Sequence, residues 1–110
     1  MPDKHAGLCP RFHAAVELIG KRWTGAIVHV LMTGPRRFNE VLAAIPGISD
    51  RLLTERLREL EAAKIVRRDV YAGSPVRVVY ELTTRGRELE DALEAIGRWA
   101  ERWLEAPLSA

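Results

Sequence analysis

The segment 49–64 limits the possible folds more than any other part of the chain, because its apolar residues recur with the period of an α-helix. Leucines spaced by four and three residues would form one apolar stripe: Leu53, Leu57 and Leu60. The opposite side carries polar side chains at the same spacing: Arg51, Thr54, Glu55 and Arg58. Ser49 is a favourable N-cap, and the Pro-Gly pair before it would interrupt a longer helix. The pattern predicts either a DNA recognition helix or a surface helix with a solvated charged face.

Three shorter helices are predicted upstream of this segment. The first begins at Cys9-Pro10 and ends at Gly20, and its apolar face consists of Phe12, Ala15, Val16 and Ile19. The second spans about 21–32, with a predicted buried face of Trp23, Ala26, Ile27, Val30 and Leu31. The third spans about 40–45, with Asn39 as its cap after a short link at 36–38 that could be extended. A tight turn at 46–48 joins it to the segment 49–64, which is the outline of a helix-turn-helix.

A β-hairpin is predicted next, from two runs rich in β-branched residues at 65–71 and 76–82. Its tip, 72–75, is small and polar, and its strands carry Arg67, Arg68 and Arg77. A helix-turn-helix followed by a basic hairpin is the order of elements in a winged helix. We therefore expect a mainly helical α+β fold, with the hairpin as the wing.

The last helix is predicted over 84–105, capped by Thr83. Its apolar positions step by four and three residues and are broadened by further large side chains: Leu89, Ala92, Leu93, Ile96, Trp99, Ala100, Trp103 and Leu104. This face is wide for a domain that already has several helices, so we expect a homodimer whose interface includes Phe12, Leu89, Leu93, Ile96, Trp99 and Trp103. The alternative is that Trp99 and Trp103 close the core of the monomer.

Length and composition set the outer bounds. A chain of 110 residues fits one domain, so we treat 1–110 as a single winged-helix unit with a loose tail at 1–8. No apolar run approaches the roughly 20 residues of a membrane helix, and the polar start is unlike a signal peptide, so we expect a cytoplasmic protein with no membrane partner. Residues 1–84 hold 13 of the 17 Lys and Arg but 9 of the 15 acidic residues, and this basic bias is compatible with a polyanionic partner.

Catalytic and metal-binding motifs are missing from the sequence. It contains no Gly-rich phosphate loop, nucleophile elbow or HExxH motif, so we expect neither enzyme activity nor a cofactor. His5, Cys9 and His13 are spaced by four residues, but Pro10 disrupts a shared helical face, so no metal site is expected.

Several stretches between Cys9 and Trp99 match a known family in order and without large gaps: CP at 9–10, GKRW at 20–23, GPRRFNE at 34–40, IPGIS at 45–49, LTERLRELE at 53–61, YELT at 80–83 and Gly86. Through them the chain resembles the HxlR family of bacterial transcriptional regulators, which are dimeric winged-helix proteins related in fold to the MarR group. The wing departs from the family pattern, which has a Pro-rich tip and an acidic residue before the tyrosine, whereas Val79 precedes Tyr80 here. The resemblance implies a transcriptional regulator whose partners are double-stranded DNA and a second copy of itself.

A mechanism for DNA binding follows from the residue types. Arginines that neutralise phosphates give sequence-independent, salt-sensitive affinity, and the candidates are Arg36, Arg37, Arg67, Arg68 and Arg77. Base edges would be contacted from the segment 49–64 by Ser49, Arg51, Thr54, Glu55 and Arg58, and Asn39 is a further candidate DNA contact. For Glu55 the alternative is that it orients Arg51 one turn earlier. A two-fold dimer would require a palindromic operator, and we expect a repressor.

Cys9 is the candidate for regulation, since it precedes a predicted helix whose N-terminal dipole favours a thiolate. The family resemblance adds that a cysteine at this place senses oxidants or electrophiles in some members. The alternative is an inert cysteine packed under the first helix. The identity of any small-molecule effector stays open, as does the possibility that the chain is a protein–protein interaction module or a ligand sensor with weak DNA affinity.

Overall fold

The computed structural model describes residues 9–106. Within them the chain forms six helices and three strands: α1 (Pro10–Ile19), α2 (Thr24–Met32), β1 (Arg36–Arg37), α3 (Phe38–Ala44), α4 (Asp50–Ala62), β2 (Val66–Tyr71), β3 (Arg77–Leu82), α5 (Thr84–Arg87) and α6 (Glu90–Trp103). The strands make one antiparallel sheet in the order β1-β3-β2. The predicted winged helix-turn-helix fold, mainly helical with a β-hairpin, is confirmed. The predicted tail at 1–8 lies outside the described residues.

The core lies between the helix-turn-helix and the base of the hairpin. Its fully buried side chains come chiefly from α2 and α4, and the core as a whole comprises Ile27, Val28, Leu31, Val41, Ile45, Ile48, Leu53, Leu57, Leu60, Ile65, Val66 and Leu82. The predicted leucine stripe of 49–64 is thus the buried side of α4. Because this stripe faces the core, the polar residues on the other side of α4 must face outward.

Both ends of α4 have well-defined caps. Ser49 Oγ accepts a hydrogen bond from the Leu52 N–H at 3.1 Å, as a side-chain N-cap does. At the other end the N–H of Ile65 donates to the Leu60 carbonyl at 2.9 Å, and Lys64 takes a left-handed conformation with φ 63°. This is a Schellman ending, and it turns the chain from α4 directly into β2.

The turn between α3 and α4 packs against Trp23. Gly47 has φ 97°, and a Cβ added there would lie 3.3 Å from Cη2 of Trp23. Trp23 precedes α2 in a left-handed conformation with φ 78°, and the guanidinium of Arg22 lies 4.7 Å from the centre of its ring. A glycine is required at Gly47 both for its positive φ and for this contact.

Two details of the first three helices differ from the predictions. The helix predicted over 21–32 begins three residues later, and its buried face includes Thr24 and Val28, whereas Ala26 is exposed. The reason is that the chain after Gly20 makes a turn before α2 starts, which rotates the face that meets the core. Asn39 does not cap α3, which begins at Phe38; the Glu40 carboxylate accepts the N–H of Arg37 at 2.8 Å instead.

The C-terminal helix predicted over 84–105 is interrupted and also ends early, at Trp103. Its first turn, α5, is held against the start of β2, because Thr83 Oγ1 accepts from the Gly86 N–H and donates to the Lys64 carbonyl at 2.6 Å. A Cβ on Gly86 would lie 2.3 Å from the Ile65 carbonyl oxygen, so the two segments touch backbone to backbone. The N–H of Leu89 then donates to the carbonyl of Gly86, three residues earlier, as in a 3₁₀ turn rather than an α-helix. The helix α6 begins at Glu90.

Candidate nucleic-acid interface

The outward side of α4 carries two arginines whose guanidinium groups are available to a ligand. The Arg51 side chain is 92% exposed, and its Nε lies 3.8 Å from the Glu55 carboxylate one turn later. Arg58 is exposed two turns after Arg51 on the same side. The Arg51–Glu55 geometry fits the alternative in which Glu55 orients Arg51.

The two hydroxyl groups predicted to contact bases already have local partners. Ser49 Oγ is the N-cap acceptor of α4. Thr54 Oγ1 donates to the Asp50 carbonyl at 2.9 Å, which leaves only its lone pairs for a ligand. Arg51 and Arg58 are therefore the strongest hydrogen-bond donors on this side of the helix.

A groove of about 350 Å³ separates α4 from the hairpin and is lined by Thr54, Leu57, Arg58, Glu61, Arg68 and Tyr80. Arg68 and Tyr80 are direct cross-strand partners, so both side chains lie on the sheet face that turns toward α4. Arg58 on the helix and Arg68 on the strand thus border one depression. We call the set Arg51, Arg58 and Arg68 the basic face.

The other side of the sheet carries a second group of arginines. Arg37 pairs with Val79 on the central strand, and Arg77 pairs with Tyr71 near the hairpin tip. The Arg77 guanidinium lies 5.1 Å from the centre of the Tyr71 ring, which holds it by a cation–π contact. Arg36 instead pairs with Tyr80, on the sheet face that turns toward α4, and donates to Thr33 Oγ1 at 2.7 Å and to the Pro35 carbonyl at 2.9 Å. Asn39 is exposed in the first turn of α3.

Arg67 differs from the other predicted phosphate contacts, since acidic side chains surround it. Its Nε donates to Asp69 at 3.1 Å, and its Nη2 donates to Glu81 at 2.5 Å. Hydrogen bonding and charge attraction, first with Asp69 and then with Glu81, raise the pKa of Arg67 above its ordinary value. Among residues 9–106, no carboxylate comes within 4.0 Å of the guanidinium groups of Arg37, Arg58, Arg68 or Arg77.

A structural cluster that the sequence analysis missed holds α4 in place. Arg56 is only 15% exposed; its Nε donates to the Arg22 carbonyl at 3.0 Å, and its Nη1 lies 3.2 Å from Glu59. Lys21 reaches the same carboxylate at 3.1 Å. The signal available in the sequence was position alone: Arg56 and Glu59 fall between the leucine stripe and the outward side of the helix.

The family described as HxlR-like helix-turn-helix matches the chain over residues 18–107. This chain belongs to that family. YodB, an HTH-type transcriptional regulator of Bacillus subtilis strain 168, is 46% identical over 98 residues, which are 89% of this chain and 88% of YodB. The predicted family is confirmed, and the chain is a transcriptional regulator of the helix-turn-helix type.

Solved structures agree with the fold. Reduced YodB from B. subtilis matches with a TM-score of 0.82 at 45% identity, covering 90% of this chain and 97% of that chain. YodB after diamide treatment matches with a TM-score of 0.77 at 45% identity, covering 90% of this chain and 98% of that chain. YodB with bound quinone matches with a TM-score of 0.78 at 44% identity, covering 87% of this chain and all of that chain. The redox regulator HypR in its oxidised form has a TM-score of 0.81 at 39% identity, over 89% of this chain and all of that chain. A MarR-family structure from Enterococcus faecalis V583 has a TM-score of 0.79 at 34% identity, covering 94% of this chain and 90% of that chain.

This HxlR-like chain also leaves large apolar side chains exposed on α1, on α6 and at the residue that follows α6. They are Phe12, Val16, Ile96, Trp99, Trp103 and Leu104, and we call them the apolar helix faces. Trp99 is 57% exposed and Trp103 is 64% exposed, so they do not close the core of the monomer. Leu89 and Leu93, also predicted at an interface, are partly buried and pack against the core.

Cys9 is exposed and stands at the N-cap of α1. Its carbonyl accepts the N–H of His13 at 2.9 Å, which begins the helix. The helical span of α1, Pro10–Ile19, agrees with the prediction. In the described part of the chain, no helix is long and apolar enough to cross a membrane.

Proposed function

We propose that this chain is a homodimeric repressor that binds a palindromic operator and whose affinity for DNA depends on the redox state of Cys9. The observation that carries the DNA-binding part is the outward side of α4, where Arg51 and Arg58 stand free of the core next to the hairpin. Membership of a family of helix-turn-helix transcriptional regulators supports it.

In this proposal α4 enters the major groove. Arg51 and Arg58 donate to guanine edges, since a guanidinium can make two parallel hydrogen bonds to one guanine. Glu55 keeps Arg51 in position, and Thr54 adds a weaker polar contact. Further contacts position the chain on the duplex without selecting a sequence. They are made to DNA phosphates by Arg36, Arg37, Asn39, Arg68 and Arg77.

The dimer is formed by the apolar helix faces of two copies. Two tryptophans that are more than half exposed on one helix form a larger apolar surface than scattered single side chains do. A two-fold axis through this contact would place the two copies of α4 about 34 Å apart, one turn of DNA. Ile96, Trp99 and Trp103, together with Phe12, lie in the contact, and Leu89 and Leu93 brace α6 from the core side.

Regulation would act through oxidation of Cys9. The chain contains one cysteine, and its thiol is exposed at the start of α1. Diamide oxidises two thiols to one disulfide and takes up their two hydrogens, so the product here joins two copies or joins Cys9 to a small thiol. YodB, which has been solved in reduced and diamide-treated forms, supports a redox role for a member of this family.

Selection of bound sequences from random DNA, under reducing and oxidising conditions, tests the whole proposal. We expect enrichment of a two-fold symmetric site under reducing conditions and its loss after diamide. The Cys9→Ser variant should enrich the same site under both conditions. If the chain retained no sequence and did not shift random DNA at low salt, the result would instead support a protein–protein interaction module.

A further inference from the structure

The base of the hairpin contains an ion-pair cluster that the proposed DNA contacts do not use. Arg67 and Glu81 are direct cross-strand partners, and Asp69 follows two residues later on the same strand, so all three side chains share one sheet face. The Arg67 guanidinium contacts both carboxylates at 3.1 Å or less. The second oxygen of Glu81 lies 4.0 Å from the guanidinium of Arg87 in α5.

The charges in this cluster cancel, which distinguishes Arg67 from its neighbour in sequence. Two arginines face two carboxylates, so the cluster presents no net positive charge to a polyanion. Arg68 points to the opposite sheet face, borders the groove beside α4 and has no carboxylate partner within 4.0 Å in the described residues. A phosphate that approached Arg67 would meet the negative charges of Asp69 and Glu81 beside the guanidinium, and these charges oppose its binding.

The position of the cluster gives it a mechanical role. Glu81 is near the end of β3, and the next residues, Leu82 and Thr83, lead into α5, which Gly86 fixes against the start of β2. The shared carboxylate of Glu81 therefore links the hairpin to the segment that carries α6. Tilting the hairpin relative to α5 would break the contact of Glu81 with Arg87, whereas Arg67 on β2 moves with Glu81 and holds its carboxylate in place.

We propose that Arg67 positions the hairpin against α5 through Glu81 and makes no phosphate contact when the chain binds DNA. This inference rests on the proposed DNA binding, and it assigns to Arg67 a role different from that of Arg68 and Arg77. The phosphate contacts of the hairpin would then be made by Arg68 and Arg77, while Arg67 sets the angle at which the hairpin meets the duplex.

The salt dependence of binding to a random-sequence duplex separates the two roles. Each phosphate contact contributes about 0.9 to the slope of log affinity against log salt concentration, so Arg77→Gln should lower that slope by about 0.9. Arg67→Gln, a matched change on the same hairpin, should leave the slope unchanged. An equal fall in slope for Arg67→Gln would overturn the inference, whereas a wild-type chain that binds no duplex would overturn the proposed function.

Charge exchange tests the positioning role without DNA. Arg67→Glu places three carboxylates together, so hydrogen exchange of the β2 and β3 amides should accelerate about threefold or more. Adding Glu81→Arg and Arg87→Glu restores an opposite charge at both contacts of residue 81, so the exchange rates should return close to wild type. Arg68→Glu is the control on the other sheet face, and its amide exchange should stay unchanged. If this triple variant exchanges as fast as Arg67→Glu alone, the cluster does not position the hairpin.

Discussion

The basic face and the apolar helix faces differ in how well water solvates them when no partner is bound. An arginine such as Arg58 is well solvated while exposed, so the basic face is stable in water without a ligand. Trp103 is 64% exposed, and water is a poor environment for an indole ring. Substitutions on the basic face should therefore change binding and leave folding intact, whereas substitutions on the apolar helix faces should change assembly first and DNA binding as a consequence.

The largest effect should come from the apolar helix faces. Changing both Trp99→Glu and Trp103→Glu places charges in the proposed contact, so the chain should sediment as a monomer. Its affinity for a two-half-site duplex should fall about 100-fold, because each copy then binds a half-site alone.

Arg98→Glu, on the opposite side of α6, is the control for this change and should leave both the sedimentation and the affinity as in wild type. A double tryptophan variant that remains dimeric would remove the apolar helix faces as the contact between copies.

The second effect concerns the basic face. Arg58→Ala should weaken binding to the selected operator by about 1–3 kcal/mol, which is the cost of one lost guanine contact. Binding to random DNA should fall far less, and the melting temperature should not change. Arg51→Ala should behave in the same way, and titrations of both variants against operator and random duplexes check it. A parallel loss on both duplexes would mean that these arginines contact phosphates only.

Arg56→Ala gives the contrasting result on the same helix. This side chain is 15% exposed and holds the Arg22 carbonyl and Glu59, so its removal should destabilise the fold by about 1–2 kcal/mol in denaturant titration. Arg58→Ala in the same titration should match wild type. If the two variants had equal stability, the division of α4 into a structural side and a ligand side would fail.

The smallest effect should arise at Lys64, which belongs to neither surface. Its φ of 63° is unfavourable for a residue with a Cβ, so Lys64→Gly should stabilise the chain by about 0.5–1 kcal/mol. Sedimentation and operator affinity should stay as in wild type. A lower unfolding free energy for the glycine variant would show that the lysine side chain contributes more than its strained backbone costs.

Elements that depend on short-range signals could be predicted from the sequence. The leucine spacing and Ser49 placed α4 correctly, and the β-branched runs placed both hairpin strands to within one residue. These signals act within one or two turns of chain, so they do not require knowledge of what packs against them.

Features that depend on partners distant in sequence were missed. The pairing of β1 with β3 requires the chain to return after more than forty residues, and two residues of strand leave almost no pattern. The break before α6 comes from the contact of Gly86 with Ile65. The counter-ions of Arg67 follow from the register of the hairpin, which aligned Glu81 opposite it, and a list of basic residues does not contain that information.

The division of α4 into a leucine side, a flank anchored by Arg56 and Glu59, and a solvent side has a practical consequence for redesign. The DNA preference of this regulator should be reprogrammable by exchanging Arg51, Thr54, Glu55 and Arg58, since none of these side chains anchors α4 to another part of the described chain. Whole-helix grafts from relatives should succeed only when they keep a basic residue at position 56 and an acidic one at 59 as the docking pair for Lys21 and Arg22. The DNA sequence preference and the stability of the fold would then depend on different residues of α4.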